Sequence, residues 1–594
     1  MVAERLVKIF TLSWQAFGKF RKQIVFLTAL AFVEAFLEGI GINALIPLFS
    51  LVFGQGNKGT DFISRQIGKL FGFFHLELSI TYLLVFIGLL FAAKAVVGIW
   101  INLLRAKITN EYEEQIKNNL FKKVLHADWP YLMQQKSGYL ETILLQDVLV
   151  FSGMLNQFAL LLGLLIGLAV YAVVAMNISA SITLIAFGLG LVSLLVFKRL
   201  YWQVRQIAQE RTNLSKDAVH HISENIIGIK TIKVMGVEEG AYEKSSRYFK
   251  KLKEMNIRTV FLKGLSGALI VPVGVIFILS VFAFLYRSPN FQLAALAVIV
   301  YLIDRIFNYV QQLQRGLHTA NDSLPHVVSI LEYEKRAAQN KEMHTGIKPF
   351  DFQKSLEFKG MTFAYKEGKE ILTKLNLVIQ KGTTIGIIGP SGVGKTTLVD
   401  LILRLLSPTQ GSILLDGVDI SEISLSEWRK NIGYVSQDIF LTNDTIENNI
   451  RFYNQNLTQA EIEEAAKMAN IYDFIETCPK KFETIVGERG IALSAGQRQR
   501  IVIARVLARK PQFLILDEAT SALDNESEMM IQQVIKKLKG KITVLIIAHR
   551  LSTIMDVDEL LILNQGRVEE QGSPQVLLAD KNSYFFKVYN LREV

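Results

Sequence analysis

The sequence has little cysteine and little charge, and each shortage excludes a class of protein. Its 594 residues include one cysteine, Cys478, which excludes a fold held together by disulfide bonds. Only 20% of the residues are charged and 50% are hydrophobic, which excludes an intrinsically disordered chain. Residues 1–20 lack a short apolar core followed by small residues, so we expect no removable signal peptide.

The excess of basic residues lies in the N-terminal part of the chain. The formal net charge is +11, and residues 1–350 hold 36 Lys and Arg against 23 Asp and Glu. Residues 351–594 hold 29 basic and 31 acidic residues. In the N-terminal part the basic residues alternate with long apolar runs, which favours a membrane surface over nucleic acid. We therefore expect the bilayer, and no nucleic acid, as a partner.

Six segments are long and apolar enough to cross a bilayer as helices, which takes about 20 residues each. Their approximate bounds are 24–53, 81–104, 151–176, 178–200, 264–286 and 292–312. Outside these segments, 25 Lys and Arg would lie on one side of the membrane and 4 on the other. The positive-inside rule then predicts that both termini and two long helical connections are cytoplasmic.

From residue 351 onward, short β-rich runs alternate with helical stretches and Gly-rich turns, a pattern typical of an α/β domain. We expect a membrane domain over residues 1–320, a linker over 321–350 and a soluble domain over 351–594. The soluble domain is large enough to have its own hydrophobic core.

A phosphate-binding motif lies near the start of the soluble domain. Residues 389–396 match the GxxxxGK[ST] loop, between an apolar strand and a predicted helix. Glycines let backbone N–H groups surround phosphates, Lys395 can reach the outer phosphates, and Thr396 can hold Mg²⁺. The expected cofactors are therefore ATP and Mg²⁺. The candidate residues are Gly389, Pro390, Ser391, Gly392, Val393, Gly394, Lys395, Thr396 and Thr397.

A second apolar run, Phe513–Leu516, ends in two carboxylates. Asp517 can orient Mg²⁺ through water, and Glu518 can act as general base toward the attacking water. His549 follows the predicted strand Thr543–Ile547 and is placed to contact the γ-phosphate or the water. The expected fold class is an all-α six-helix membrane domain with long cytoplasmic helical loops, followed by an α/β P-loop NTPase domain.

The soluble domain resembles the nucleotide-binding domain of ATP-binding cassette (ABC) transporters over nearly all of residues 351–580. Residues 493–500, Leu-Ser-Ala-Gly-Gln-Arg-Gln-Arg, resemble the signature sequence of that family. The resemblance implies that ATP is contacted by Ser494, Ala495, Gly496 and Gln497. The signature usually has two glycines where this chain has Ala495 and Gly496. We therefore expect ATP hydrolysis that is retained and tuned by the extra methyl group.

Further residues resemble positions of the same family. Gln437 resembles the glutamine that senses Mg²⁺, Tyr365 the aromatic residue that stacks on adenine, and Asp524 part of the loop that joins two active sites. Residues 484–490 resemble the exporter segment that touches the coupling helices of the partner. Six spans fused in front of the cassette are similar to the homodimerising exporter architecture.

The resemblance implies that each ATP lies between the P-loop of one cassette and the signature of another. One chain carries one copy of each motif, so it must pair. Because the matched motifs are intact, a homodimer with two competent sites is favoured over a heterodimer with one degenerate site. The implied location is a bacterial-type plasma (inner) membrane, with multiple spans and a cytoplasmic ATPase domain.

Charged residues inside predicted spans are candidates for substrate contact, because a charge inside a bilayer is costly. They are Glu34, Glu38, Lys94 and Arg305. Two interpretations stay open. The residues line a translocation cavity, in which Lys94 or Arg305 binds an anionic substrate, or they form interhelical ion pairs such as Glu34 with Arg305.

Residues 61–78 carry apolar side chains at helical spacing, which fits an external amphipathic helix or a plain loop. A similar outer helix and an acidic first span occur in homodimeric flippases for lipid-linked oligosaccharides. A lipid-linked or other amphipathic lipid substrate is therefore the first hypothesis. Multidrug or peptide export is the alternative within the family. An ATP-gated channel or a membrane-tethered regulator is the alternative outside it.

Overall fold

The structure is a computed structural model in which two compact units are present. It describes residues 21–52, 62–73, 75, 79–286, 293–342, 345–365, 368–518, 524–548 and 550–592. One unit comprises residues 1–127 and 131–341, and the other comprises residues 128–130 and 342–594. The domain boundaries expected from the sequence stay predictions, and one helix continues without a break across the first of them, at residue 320.

The described residues before 341 are almost entirely helical. The helices are α1 (Arg21–Asn43), α2 (Leu45–Val52), α3 (Phe62–Phe73), α4 (Ile80–Leu125), α5 (Trp129–Met133), α6 (Ser137–Glu141), α7 (Val148–Ile178), α8 (Ala180–Val196), α9 (Lys198–Ile227), α10 (Ile229–Met235), α11 (Glu238–Leu285) and α12 (Leu293–Gln339). Helices α4, α11 and α12 contain 46, 48 and 47 residues. At 1.5 Å per residue each is about 70 Å long, more than twice the thickness of the hydrocarbon core.

Five helical stretches of the described chain are long and apolar enough to cross a membrane. They are Arg21–Phe49, Ile80–Leu125, Gly138–Met176, Ala180–Ile227 and Glu238–Phe284. Each overlaps one of the first five predicted spans over most of its length. The sixth predicted span, 292–312, begins outside the described residues and continues in α12, where Asp304 and Arg305 lower its hydropathy.

One carboxylate joins three helices of the first unit. Asp147 is fully buried at the end of a π-helical turn, Thr142–Asp147, directly before α7. Its Oδ1 lies 2.7 Å from Nδ1 of His326 on α12, and its Oδ2 lies 3.0 Å from Nζ of Lys216 on α9. Lys216 is 2% exposed, so the ion pair is shielded from solvent. A π-helical turn is often found at a functional position, and this one aims the carboxylate at both partners.

Helix α3 occupies most of the segment for which the sequence left a helix and a loop open. Its apolar residues Ile67 and Phe71 are 4% and 5% exposed, and they pack in a cluster with Leu83 and Leu48. Phe73, in contrast, is 79% exposed. The apolar face of α3 is therefore largely covered by neighbouring helices of the chain.

The second unit contains two sheets. Its strands are β1 (Ser355–Ala364), β2 (Glu370–Gln380), β3 (Thr384–Ile388), β4 (Gln410–Leu415), β5 (Val418–Asp419), β6 (Ile432–Val435), β7 (Phe513–Asp517), β8 (Thr543–Ile547), β9 (Glu559–Asn564) and β10 (Arg567–Gly572). Strands β2-β1-β4-β5 form an antiparallel sheet, and β10-β9-β3-β8-β7-β6 form a sheet that is parallel except at β10. The helices are α13 (Lys395–Ile402), α14 (Leu425–Asn431), α15 (Ile446–Arg451), α16 (Gln459–Met468), α17 (Tyr472–Thr477), α18 (Ala495–Leu507), α19 (Asn525–Leu538), α20 (Leu551–Ile554), α21 (Pro574–Ala579) and α22 (Tyr584–Arg592).

The larger sheet places the residues that are predicted to bind and hydrolyse ATP at one edge. Strands β3 and β7 both pair in parallel with β8, so the carboxyl ends of all three strands lie side by side. Alternate residues of β7 contribute to two hydrophobic clusters: Leu514 and Leu516 to one, Phe513 and Ile515 to the other. Burial on both faces explains why the strand is a continuous apolar run.

Candidate functional site

The loop between β3 and α13 requires glycine at two positions. A Cβ on Gly389 would lie 2.2 Å from the carbonyl oxygen of Leu563. Gly394 has φ +105°, and a Cβ there would lie 2.9 Å from Cδ2 of Leu372. Only glycine fits such positions without strain, and the resulting loop leads directly into the N-terminus of α13.

Lys395 lies inside the curve of this loop. Its Nζ donates to the carbonyl oxygens of Gly389 at 2.8 Å and Pro390 at 3.1 Å. Burial lowers the pKa of Lys395, while the nearby charges of Glu518 and Asp517 act in the opposite direction. The ammonium group is therefore held beside the loop by two carbonyl oxygens of the loop itself.

The other predicted loop residues differ in exposure. Pro390, Ser391, Gly392 and Thr396 are exposed, Val393 is half-buried, and Thr397 is 7% exposed. The exposed group includes the hydroxyl of Thr396, which suits a metal ligand. Thr397, in contrast, is buried.

Asp517 ends β7 and is 5% exposed. Tyr434 on β6 donates its hydroxyl to Oδ2 of Asp517 at 3.3 Å, and burial together with Asp517 raises the pKa of that hydroxyl. Burial and then the charge of Asp517 raise the pKa of Asp400 on α13 to about 6. Sequence reasoning missed Tyr434 and Asp400. The position of Asp400, one helical turn after Thr396, was the available signal.

Glu518 is held in a left-handed backbone conformation just beyond β7. Its φ is +49°, which is rare for a residue other than glycine and often marks a functional site. Its N–H donates to the carbonyl oxygen of Ile547 at 2.9 Å, which ties it to the end of β8. Nε2 of Gln437 donates to Oε2 of Glu518 at 2.8 Å. The predicted base and the predicted metal sensor are therefore in direct contact.

The signature residues form the N-terminus of α18. The Ser494 hydroxyl accepts from the N–H of Gln497 at 3.2 Å, and the Gln497 side chain accepts from the N–H of Ser494 at 2.9 Å. This capping box fixes the first turn, and the hydrogen of the Ser494 hydroxyl stays available to an anion. Ala495 is half-buried against the hydrophobic core. The start of α18 thus favours a phosphate.

Gly496 packs against the start of α19. A Cβ on Gly496 would lie 2.0 Å from Oγ of Ser527, so no larger residue fits. Asp524 caps α19 by accepting from the N–H of Ser527 at 2.7 Å. The signature and the predicted site-joining loop therefore meet at Ser527.

Two further predicted residues have different outcomes. Tyr365 is 44% exposed, and its ring stands edge-on to Phe363 with centroids 5.0 Å apart, which leaves a face free for stacking. His549 lies outside the described residues, as do residues 521–523. Among the residues that the structure describes, no cluster of three or more His, Cys, Asp or Glu side chains could hold a metal by itself.

The candidate substrate residues lie together in the first unit. Glu34, Glu38, Lys94 and Arg305 all line one cavity of about 260 Å³ between α1, α4, α7 and α12. Small residues leave this space open, and a Cβ on Gly98 would lie 3.4 Å from Oε1 of Glu34. The cavity therefore has a charged lining although it lies among apolar helices.

Glu38 is the centre of the charges in this cavity. Its side chain is 4% exposed, its Oε2 lies 2.9 Å from Nζ of Lys94, and its Oε1 accepts from Arg305. The interhelical pair proposed from the sequence, Glu34 with Arg305, is not the one in the structure. Helix rotation places Glu38, one turn further along α1, against Arg305 instead. Glu38, Lys94 and Arg305 thus line the cavity and also form ion pairs with one another.

Sequence reasoning missed Arg105, which also lines the cavity. It follows the last residue of the second predicted span, so its basic side chain at a span end was the available signal. Nε of Arg105 and Nε of Arg305 are buried without a hydrogen-bond partner among the described residues. The guanidinium of Arg305 also lies over Tyr309, 5.6 Å from the ring centroid. The cavity therefore has cationic N–H groups with unused hydrogen-bonding capacity.

Comparisons with known proteins agree with both halves of this arrangement. Residues 372–521 match the family described as "ABC transporter", and residues 24–303 match "ABC transporter transmembrane region". The chain is 32% identical to "Heterocyst differentiation ATP-binding protein HepA" of a Nostoc species, over 79% of this chain and 77% of that protein. It is 33% identical to "ATP-dependent lipid A-core flippase" of Legionella pneumophila (strain Lens), over 80% and 82%. It is 31% identical to "Putative multidrug export ATP-binding/permease protein YgaD" of Bacillus subtilis (strain 168), over 80% and 83%.

The solved structure titled "Structure of a bacterial Atm1-family ABC exporter with ATP bound" has the same fold. It superposes with a TM-score of 0.81 at 23% identity, covering 97% of this chain and 100% of that chain. A helical transmembrane region and an ATP-binding cassette are thus fused in one half-transporter chain. The protein is a multi-pass membrane protein with an ATPase domain, and it belongs to the ABC transporter family, with the exporter fold.

Proposed function

We propose that the chain exports or flips an amphipathic, lipid-type substrate by ATP-driven alternating access of a homodimer. A lipid-linked oligosaccharide or another lipid with an anionic head group is the first choice. The observation that carries this proposal is the cavity around Glu38, because it offers cationic N–H groups inside a bundle of apolar helices. An anionic head group suits these donors, and the apolar chain of a lipid suits the surroundings.

The ATPase chemistry follows from the strand ends of the cassette. The P-loop backbone and Lys395 bind the phosphates of ATP, and Tyr365 stacks on its adenine. Glu518 accepts a proton from the attacking water, and Gln437 keeps the carboxylate of Glu518 oriented. For His549, which lies outside the described residues, the sequence-based assignment to the γ-phosphate or the attacking water is kept. Ser494, Gly496 and Asp524 contact the ATP that is bound by the P-loop of the partner cassette.

The donor set at the strand ends fits Mg²⁺. The Thr396 hydroxyl, the Asp517 carboxylate and the amide oxygen of Gln437 are hard oxygen ligands of the kind that Mg²⁺ binds beside nucleotide phosphates. When bound, Mg²⁺ neutralises charge on the phosphate oxygens. Tyr434 donates to Asp517 and so fixes one carboxylate oxygen.

The proposed setting is a bacterial-type plasma (inner) membrane with both termini and the cassette in the cytoplasm. The distribution of 25 and 4 basic residues across the spans supports this orientation. Multidrug export is the second candidate, and its support is the relative named as a putative multidrug export protein. The cavity lining separates the two, because an uncharged drug gains less than an anionic head group from the N–H groups of Arg105 and Arg305 that have no hydrogen-bond partner among the described residues.

The proposal is tested with purified protein in liposomes and two fluorescent probes. One probe is a polyprenyl-diphosphate-linked sugar, and the other is an uncharged dye. ATP-dependent transfer of the lipid probe between leaflets is the expected result, with Glu518→Gln as inactive protein and Glu526→Gln, an exposed residue of α19, as matched control. Transfer of the dye alone would favour multidrug export. Ion flux that is independent of ATP turnover would refute transport altogether.

A further inference from the structure

Another cavity of the first unit lies outside the six predicted spans. Its volume is about 240 Å³, and it is lined by residues of the segment 131–143, of α9 and of α12. On α12 its lining begins at Pro325, 13 residues after Gln312, the last residue of α12 that lines the cavity around Glu38. At 1.5 Å per residue, about 20 Å of helix separates the two cavities. This second cavity, the polar cleft, is therefore a separate site.

A buried lysine forms the floor of the polar cleft. Lys216 is 2% exposed, and its Nζ lies 3.0 Å from Oδ2 of Asp147 and donates to Oγ of Ser329. The same Nζ lies 4.3 Å from the ring centroid of Tyr139. An ammonium group that already contacts a carboxylate, a hydroxyl and an aromatic face has little capacity left for a ligand anion.

The charges at the rim of the polar cleft are also balanced. Nη2 of Arg336 lies 3.7 Å from Oε2 of Glu332, and both side chains are exposed. The charged residues of the described lining are Lys216, Glu332 and Arg336, and each has a counter-charge. An anionic ligand would have to compete with Asp147 or Glu332, and a cationic ligand would have to compete with Lys216 or Arg336. The charge pattern therefore favours a neutral ligand.

Much of the remaining lining consists of neutral hydrogen-bonding groups. It includes three tyrosines and three amides, Tyr131, Tyr139, Tyr333, Gln135, Gln209 and Asn213. Tyr131 and Tyr333 are buried, with ring centroids 6.4 Å apart, whereas Gln209 and Asn213 are exposed at the rim. Amide and hydroxyl groups donate and accept hydrogen bonds, and the aromatic rings add apolar faces. The ligand should therefore offer both kinds of contact.

We infer that the polar cleft is a binding site for a neutral saccharide. A sugar ring carries hydroxyl groups that donate and accept hydrogen bonds, and it has apolar C–H groups on its faces. The hydroxyl groups match the amides of Gln209 and Asn213, and the C–H faces match the tyrosine rings. A cavity of about 240 Å³ has room for several water molecules, or for one sugar ring in their place.

This inference goes beyond the proposed function and does not depend on it, because sugar binding needs neither ATP nor transport. A free sugar and the sugar part of a lipid-linked ligand both have the required chemistry. The two sources differ in whether a lipid-linked sugar competes with a free one for the polar cleft.

The test is saturation-transfer NMR of free sugars with the full-length protein, in a detergent without a sugar head group. Glucose, galactose and N-acetylglucosamine are the probes. Saturation transfer to at least one of them is expected, and inorganic phosphate should not displace it. Gln209→Ala and Asn213→Ala are each expected to weaken sugar binding about fivefold, because each removes one hydrogen-bonding side chain.

Gln206→Ala is the matched control, since Gln206 is an exposed amide of the same helix outside the described lining, and it should leave binding unchanged. Displacement of the free sugar by a polyprenyl-diphosphate-linked sugar would identify a lipid-linked head group as the source, and lack of displacement would identify a free sugar. Absence of saturation transfer to all three sugars would overturn the inference. Displacement by phosphate, or unchanged binding in both cleft variants, would overturn it as well. Absence of lipid transfer in liposomes would instead count against the proposed function only.

Discussion

Nε2 of Gln437 donates a hydrogen bond to Oε2 of Glu518 at 2.8 Å. The nitrogen of the amide is used in this bond, and its oxygen stays available as a metal ligand. One side chain can therefore bind Mg²⁺ and orient the predicted general base at the same time. Variants of Gln437 and of Glu518 should therefore have different effects, the first on Mg²⁺ binding and the second on proton transfer.

Glu518→Gln is expected to abolish steady-state hydrolysis while ATP binding is retained. A general base contributes roughly 10²–10⁴-fold to the rate, and glutamine cannot accept the proton. Phosphate release and binding of a fluorescent ATP analogue measure the two effects. Glu526→Gln changes an exposed acid in the first turn of α19 and should leave both unchanged. Near-normal turnover in Glu518→Gln would remove Glu518 from its role.

Gln437→Ala is expected to raise the Mg²⁺ concentration needed for half-maximal hydrolysis. Loss of an amide that binds or orients metal ligands typically costs about 10–100-fold in metal affinity or activity. Hydrolysis is measured across a Mg²⁺ titration at saturating ATP. Gln459→Ala, at the exposed start of α16, is the control. An unchanged Mg²⁺ requirement would show that Gln437 acts on Glu518 alone.

Gly496→Ala is expected to inactivate the ATPase, whereas Ala495→Gly is expected to change turnover only a few-fold. The methyl group added at residue 496 would lie 2.0 Å from Oγ of Ser527, whereas Ala495→Gly only removes a half-buried methyl group. Ala495→Gly costs up to about 1 kcal/mol in helix stability. The decisive measurement is rescue, because Ser527→Gly removes the clashing hydroxyl and should restore hydrolysis to Gly496→Ala. Failure of that rescue would assign the loss to another contact.

Glu38→Gln is expected to destabilise the transmembrane domain more than Glu34→Gln. Glu38 is shared by Lys94 and Arg305, and removing one member of a buried ion pair costs about 3–5 kcal/mol. No ion pair of Glu34 is found among the described residues. Thermal unfolding in detergent compares the two variants directly. Equal melting temperatures would contradict the assignment of Glu38 as the central partner.

The cassette is expected to lose stability as the pH rises from about 4 to about 6, through Asp400. Burial and then Asp517 raise the pKa of Asp400 from 3.8 to about 6. In that pH range the folded cassette keeps a proton that the unfolded chain has released, so the free energy of unfolding falls as pH rises. Asp400→Asn should therefore raise the melting temperature of the cassette above pH 6 and have little effect below pH 4. An equal shift at both pH values would exclude titration of Asp400 as the cause.

The sequence is most informative where function depends on residues that are adjacent in the chain. The P-loop and the Asp517–Glu518 pair are contiguous and follow apolar strands, so their positions at strand ends could be predicted. The contact between Gly496 and Ser527 could not be predicted, because it depends on how two helices pack. The same holds for the choice of Glu38 over Glu34 as the partner of Arg305, which depends on the rotation of α1.

The buried carboxylate of Asp147 has a consequence for sequence variation. Lys216 and His326 both contact it, so the residue types at these three distant positions of the chain depend on one another. A neutral residue at position 147 would leave the buried ammonium of Lys216 unbalanced, and survival of such a change would require a second change at position 216. Among homologues, the acid at 147 and the base at 216 are therefore expected to be gained and lost together.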